Sequence, residues 1–157
     1  MFYFHVSPLV DHPIGSIIPP GRYGQSCRIF LNGGQPPDHN SLMNGLIWEV
    51  ALETARLSVN PDLPSRLNCV FACTTSDAAI AFRNRYRHKT FPIFKIEADE
   101  QTPIFVGDLD VISNSARGRP MIDVWSEGAV NYWTQIPPGA TEILIGGPVK
   151  VVGKLSL

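Results

Sequence analysis

The hydrophobic and polar positions of the first eight residues alternate as they do in a short, half-buried β-strand. Residues 2–8 read Phe-Tyr-Phe-His-Val-Ser-Pro, and aromatic and β-branched residues at a period of two favour a pleated strand. His5 and Ser7 are two positions apart, so the pattern predicts that both side chains leave the same face. Residues 14–21 predict a turn and a second extended piece, which ends at a Pro-Pro-Gly sequence.

Two later segments carry the three- and four-residue spacing of helices. Apolar residues recur at this spacing over 41–59, which predicts a long helix with Asn40 or Ser41 as its cap and Asn60-Pro61 as its end. A buried strand is predicted over 68–73. A second helix is predicted over 77–86 with Ser76 as its cap. Residues 21–40 are rich in glycine and proline and predict a loop.

From Phe91 onward the pattern predicts strands alone, over 91–97, 102–106, 109–113, 130–134, 141–145 and 149–154. Two helices near the front and a strand-rich back half indicate the α+β class with antiparallel sheets. The chain has 157 residues and no internal repeat. We therefore expect a single domain over 1–157.

The composition is that of an ordinary globular core with a weakly charged surface, at 44% hydrophobic and 17% charged residues. A net charge of -1 argues against nucleic acid and acidic membranes as partners. No apolar run reaches the ~18 residues of a membrane span and no secretion signal is recognisable, so we expect a soluble, cytoplasmic protein. Cys27, Cys69 and Cys73 lack the paired spacing of zinc sites, so no metal site is expected.

The densest basic stretch is residues 83–89, Arg-Asn-Arg-Tyr-Arg-His-Lys. Its simplest interpretation is the solvated face and C-terminal end of a helix, where cations meet the negative end of the helix dipole. The alternative is a patch that binds a phosphate-bearing ligand or an acidic partner.

Three motifs, in this order along the chain, resemble those of the ADP-ribosyltransferase superfamily. They are the His-bearing first strand, the strand-to-helix passage Val-Phe-Ala-Cys-Thr-Thr-Ser-Asp-Ala-Ala over 70–79, and the glutamate-led strand Thr-Glu-Ile-Leu-Ile over 141–145. The passage over 70–79 and the turn over 14–21 are similar to the rifamycin-modifying branch. The motifs cover less than half of the chain. The resemblance implies a split antiparallel β-sandwich with an NAD cleft and a long helix after the first strands.

The resemblance also implies a role for each motif residue, with NAD as co-substrate and no metal. Glu142 would be the catalytic acid, whose carboxylate holds a ribose hydroxyl and stabilises an oxocarbenium-like transition state. His5 would bind a hydroxyl of the adenosine-side ribose, and Phe71 would stack on the nicotinamide. Ser7 and Arg22 are further candidates for binding NAD, Arg22 through the diphosphate.

Two positions depart from the family's pattern. Phe71 stands where the family has tyrosine, which keeps the ring face but loses a hydrogen bond worth about 1 kcal/mol. Val6 stands where the family usually has glycine, and adds bulk near the ligand. Other acids remain open for the catalytic role, namely Asp99, Glu100, Asp108 and Glu127. Arg66 is a further open candidate for a ribose or phosphate contact.

The function that the resemblance implies is NAD-dependent mono-ADP-ribosylation of a macromolecule, in the first place a protein. Compact members of the superfamily act as toxins, phage effectors or defence proteins. Two alternatives remain open: a degenerate binding module without turnover, and a transferase that acts on a small molecule. Loops select targets, here residues 22–40 and 114–129, and no motif in them identifies the acceptor.

Overall fold

The computed structural model describes residues 1–8, 12–28, 39–113, 118–135 and 142–156, with the backbone alone for 39–43 and 113. The chain is α+β, with two antiparallel sheets. Its elements are β1 (Phe2–Val6), β2 (Ile17–Ile18), α1 (Arg22–Arg28), α2 (His39–Val59), a 3-10 turn (Arg66–Asn68), β3 (Val70–Ala72), α3 (Ser76–Tyr86), β4 (Ile93–Glu97), β5 (Ile104–Gly107), α4 (Leu109–Ser113), α5 (Met121–Thr134), β6 (Glu142–Ile145) and β7 (Val149–Lys154).

One sheet has four strands in the order β1-β4-β7-β2, and the other has three in the order β3-β6-β5. In the first sheet, His5 of β1 lies opposite Phe94 of β4. In the second, Phe71 of β3 lies opposite Leu144 of β6, and Gly107 of β5 lies opposite Glu142. All four residues of the central strand β6 are buried, so both of its faces are covered, whereas Lys95 of β4 is exposed.

The two sheets touch where β1 passes β3. Phe4 and Cys73 form an isolated antiparallel bridge, with backbone N–H···O distances of 2.9 and 2.8 Å. No other β-bridge joins β1 to β3 in the described part of the chain, and His5, which follows Phe4, contacts β3 through its side chain.

Two apolar layers hold the sheets. The layer between the sheets contains Tyr3, Phe94, Ile96, Ile143 and Val151, among others. The second layer packs the outer face of the three-stranded sheet, through Leu144, against α2 and α5; it includes Trp48, Leu52, Tyr132 and Trp133. The alternation along β6 decides this division, because Ile143 and Ile145 face one layer and Leu144 the other.

The prediction of strands 2–8, 68–73, 91–97, 102–106, 141–145 and 149–154 is confirmed, with ends that move by at most two residues. The long helix is also confirmed, as α2, but it begins at His39, so Asn40 and Ser41 lie inside the helix and neither is its cap. The second helix is confirmed as α3, but its cap is Thr75, whose hydroxyl accepts the Ala78 N–H at 3.1 Å, rather than Ser76.

Three predictions of local structure were wrong. The described part of the predicted loop over 21–40 contains the helix α1, and residues 29–38 lie outside the described residues. Residues 109–113 form the helix α4, which begins after Asp108 accepts the Asp110 N–H at 2.9 Å. Residues 130–134 end the helix α5. In both of these segments, β-branched and aromatic residues indicated a strand, but packing against helices decides otherwise.

Candidate functional site

A buried ionic cluster lies between the three-stranded sheet and the helices. It consists of Arg66, Glu49, Glu142 and Tyr132, and we refer to it as the Arg66 cluster. The Arg66 Nε donates to both carboxylate oxygens of Glu49 at 3.2 Å. The Arg66 Nη1 donates to the Glu142 Oε1 and, at 3.0 Å, to the Tyr132 hydroxyl. That hydroxyl in turn donates to the Glu142 Oε1 at 2.6 Å.

Four separate elements supply these side chains. Arg66 lies on the 3-10 turn, whose cap is Ser65, since its hydroxyl accepts the Leu67 N–H. Glu49 lies on α2, Tyr132 on α5 and Glu142 at the start of β6. The turn packs directly against α1. Gly24 of α1 approaches it so closely that a Cβ there would lie 2.0 Å from the Leu67 carbonyl oxygen. Only glycine allows this approach.

The charges of the Arg66 cluster stabilise one another out of contact with water. All four residues are at most 7% exposed. Burial by itself lowers the pKa of Arg66, yet Glu142, Tyr132 and Glu49 together raise that pKa well above its ordinary value. Burial, followed by the negative charge of Glu142, raises the pKa of Tyr132. The guanidinium therefore stays charged and the phenol stays protonated as a donor.

The Tyr132 phenol passes over β5 to reach Glu142, at a position where β5 has a glycine and therefore no side chain. A Cβ at Gly107 would lie 2.4 Å from the Tyr132 hydroxyl oxygen, and Gly107 is the residue opposite Glu142. The phenol thus lies directly over the backbone of β5. This glycine is required for space, whatever its backbone angles.

Phe71 lies on the same face of the three-stranded sheet as Glu142. It is opposite Leu144, and Glu142 precedes Leu144 by two positions. The Arg66 guanidinium carbon lies over the Phe71 ring, 5.0 Å from its centroid. Tyr23 of α1 packs edge-on against the same ring, with a centroid distance of 5.4 Å, and its hydroxyl donates to Glu49 at 3.0 Å.

His5 joins the backbone of β3 through its side chain. Its Nδ1 lies 2.7 Å from the Phe71 carbonyl oxygen. Because a carbonyl only accepts, Nδ1 carries the proton and donates. Burial lowers the pKa of His5 to about 4. The charges of His12 and Arg22 act in the same direction, and the hydrogen bond to the Phe71 carbonyl acts against them. The imidazole is therefore neutral near pH 7, and Nε2 is left as a hydrogen-bond acceptor.

Ser7 and Arg22 lie around this imidazole together with His12, which the sequence did not indicate. Ser7 is fully buried, and its hydroxyl lies 3.1 Å from the His12 Nε2. Arg22 is exposed at the start of α1. Its charge contributes to lowering the pKa of both His5 and His12.

The side chain of Val6 leaves β1 on the face opposite to His5. It packs with Cys73, Ala79 and Ile93, beneath α3. Its bulk is therefore directed away from the imidazole. The concern that valine would obstruct a ligand at His5 does not apply to this side chain.

The predicted motif residues are linked by contacts, although 137 positions separate the outer two. His5 binds the carbonyl of Phe71, the ring of Phe71 carries the Arg66 guanidinium, and Arg66 binds Glu142. Among the other candidate acids, Asp99 and Glu100 follow β4, and Glu127 of α5 forms an exposed ion pair with Arg119. Asp108 directly follows Gly107, the residue opposite Glu142.

Sequence reasoning missed Glu49, Tyr23, Tyr132 and His12. A signal for Glu49 exists, because it lies between Trp48 and Leu52, which are both buried on the inner side of α2. A carboxylate among inward-facing residues needs a buried cation, and Arg66 provides one. Tyr132 was assigned to a strand and Tyr23 to a loop, so neither could be placed on a helix facing Phe71.

A separate apolar groove of about 600 Å³ lies between α2 and α5, and Leu46, Val50, Ile122, Trp125 and Val130 are among its lining residues. It shares no residue with the Arg66 cluster.

None of the described helices is long and apolar enough to cross a membrane. Within the described ranges, no three His, Cys, Asp or Glu side chains are grouped to hold a metal ion.

Comparison with known proteins places the chain in a family. The sequence profile of a family described as "Protein of unknown function (DUF2441)" matches residues 38–156, which is most of the chain. The chain therefore belongs to this family. No curated protein matches the sequence.

Proposed function

We propose that this member of the DUF2441 family is an NAD-dependent ADP-ribosyltransferase that modifies a macromolecule, in the first place a protein. The observation that carries the proposal is the series of contacts from His5 through Phe71 and Arg66 to Glu142. Three segments that resemble the motifs of one NAD site come together in space.

The architecture supports the same proposal at a coarser level. The resemblance implies a split antiparallel sandwich, and the chain has two antiparallel sheets that are joined at the Phe4–Cys73 bridge. The long helix after the first strands is α2. We propose that NAD binds next to His5 and Phe71.

In this proposal, the bond between the nicotinamide nitrogen and ribose C1′ breaks, and the nitrogen keeps the electron pair. A nucleophile of the acceptor forms the new bond to C1′ and releases its proton. Positive charge grows on the ribose during this exchange, and a fixed carboxylate lowers its energy. Both described contacts of Glu142 use Oε1, so we assign the ribose 2′-hydroxyl to Oε2.

The other residues would bind and orient the dinucleotide. The neutral His5 offers Nε2 as an acceptor for a ribose hydroxyl, and Arg22 offers an exposed guanidinium for the diphosphate. The Phe71 ring would receive the nicotinamide on a face now partly covered by Tyr23. Binding would therefore require the Tyr23 ring to shift, and its hydroxyl contact with Glu49 limits how far.

A specific observation favours a second candidate, an NAD-binding module without turnover. The Glu142 carboxylate is already paired with Arg66 and Tyr132, and a paired carboxylate stabilises a growing cation less than an unpaired one. Phenylalanine at position 71 also removes a hydroxyl from the site. Both features reduce catalysis and leave binding intact.

Labelled NAD incubated with the protein and a cell lysate tests turnover. The transferase proposal expects label on macromolecules, and Glu142→Gln should reduce the rate by about 100-fold or more. Asp62→Asn, at an exposed position, is the matched control and should retain the rate. An unchanged rate in Glu142→Gln would remove Glu142 as the catalytic acid and favour Asp108, Asp99, Glu100 or Glu127.

Thermal unfolding with and without NAD separates the two candidates when no label is transferred. Both candidates expect stabilisation, of about 2.7 kcal/mol at 100-fold excess over the dissociation constant. Stabilisation without label supports the binding module. Neither stabilisation nor label would reject NAD as the ligand of this site.

A further inference from the structure

The positive charge of this chain is concentrated in one short segment. Residues 83–89 contain three arginines and one lysine and no acidic residue. The whole chain carries -1 and this segment +4, so the remaining residues together carry -5. A segment of this kind stands out against a negative background and is not part of a uniformly basic surface.

The structure fixes the orientation of two of these cations. The segment begins in the last turn of α3 and continues beyond Tyr86. The Arg85 guanidinium lies over the Tyr86 ring at 4.9 Å, and that of Arg87 over the Phe82 ring at 5.2 Å. The Arg87 Nη1 donates to the Tyr86 carbonyl at 2.9 Å, and its other N–H groups remain available to bind a carboxylate.

The segment adjoins the proposed NAD site through direct contacts. Arg83 donates to the Phe91 carbonyl at 3.4 Å. The next residue, Pro92, accepts the Ser7 N–H at 3.1 Å. The Ser7 hydroxyl contacts His12, which lies beside His5. The basic segment is therefore connected to the residues around His5 by backbone and side-chain contacts at the end of β1, through the fully buried Ser7.

We propose that residues 83–89 bind a carboxylate-rich segment of the acceptor protein and so present that protein to the NAD site. This inference rests on the proposed function, since it assigns a docking surface to the acceptor. Exposed Arg85, Arg87, His88 and Lys89 supply the contacts. Residue 85 also has a weak ion pair of 3.4 Å with Asp110, which an acidic ligand would replace.

Three observations favour an acidic protein segment over nucleic acid. The segment has only four cationic side chains, whereas nucleic-acid binding at physiological salt commonly uses about 6–10 phosphate contacts. The Phe82 and Tyr86 rings are covered by arginines and do not offer faces for stacking bases. The remaining negative charge of the chain would also repel a long polyanion.

Fluorescence anisotropy with a labelled octaglutamate peptide tests the proposal, with an oligothymidylate of the same length and a Gly-Ser peptide as comparison probes. We expect binding of octaglutamate that weakens with added salt. Arg87→Gln combined with Lys89→Gln should weaken it by about fivefold or more. The matched control combines Lys95→Gln with Lys150→Gln, two exposed lysines elsewhere, and should bind as the unmodified chain does.

The proposal is overturned if octaglutamate does not bind, if the two double variants bind alike, or if the oligothymidylate binds more tightly than octaglutamate. Calorimetry with NAD separates this result from the proposed function. The Arg87→Gln, Lys89→Gln variant should bind NAD as the unmodified chain does. Octaglutamate binding without any NAD binding would leave the docking surface in place and reject the transferase.

Discussion

Arginine, tyrosine and histidine each occur in two contrasting regions of this molecule. In the interior they are Arg66, Tyr132 and His5, each held by at least one hydrogen bond to a fixed partner. At the end of α3 the same residue types occur as Arg85, Tyr86 and His88, close to solvent or without such partners. The contrast teaches that the partners and the burial of a side chain, and not its type, decide its contribution to stability.

The arginines should give the largest difference. Arg66→Met leaves the Glu49 and Glu142 carboxylates buried without their cation, which costs about 3–5 kcal/mol in free energy of unfolding. Arg85→Met removes an exposed pair with Asp110 and should cost less than about 0.5 kcal/mol. Urea denaturation of both variants measures the difference. Equal losses would contradict the assignment of Arg66 as the centre of the cluster.

The two tyrosine-to-phenylalanine substitutions should also differ in free energy of unfolding, with a loss at Tyr132 and none at Tyr86. Tyr132→Phe removes a hydroxyl that accepts from Arg66 and donates to Glu142, so we expect a loss of about 1–3 kcal/mol. The Tyr86 hydroxyl is buried without a hydrogen-bond partner among the described residues. Tyr86→Phe should therefore leave the free energy of unfolding unchanged or raise it. A larger loss from Tyr86→Phe than from Tyr132→Phe would show that the phenol network is wrongly placed.

The histidines should differ in the pH dependence of stability. Burial lowers the pKa of His5 from 6.5 to about 4, so between these pH values the unfolded chain binds the proton that the folded chain excludes. Stability should fall as the pH drops through this window, with a slope of at most about 1.4 kcal/mol per pH unit from this group. The pKa of His12 is also lowered and adds a slope of the same sign.

His5→Gln keeps an N–H donor for the Phe71 carbonyl and does not titrate. We expect it to flatten the pH dependence between pH 4 and 6.5, measured by urea denaturation across this range. His88→Gln, at an exposed position, is the control and should keep the slope of the unmodified chain. A full slope in His5→Gln would assign the titration to another group.

The same contrast marks the limit of what the sequence predicts. Strands such as 149–154 and the helix α2 follow from local periodicity, which requires no knowledge of the partner. The helix α5 does not, since Val130 and Tyr132 favour strands locally and become helical only through packing on α2 and the three-stranded sheet. Sequence motifs identified His5, Phe71 and Glu142 as candidates, and the structure links them by contacts. The buried partners Glu49 and Tyr132 come from distant segments, and no local pattern pairs them.

Gly107 gives this arrangement a consequence that other DUF2441 members should display. The phenol of Tyr132 occupies the volume that a side chain at position 107 would need. The two positions therefore share one space and cannot both be large. Across the family, glycine opposite the β6 carboxylate should accompany a long aromatic residue on α5, and any bulkier residue on β5 should accompany a shorter one there.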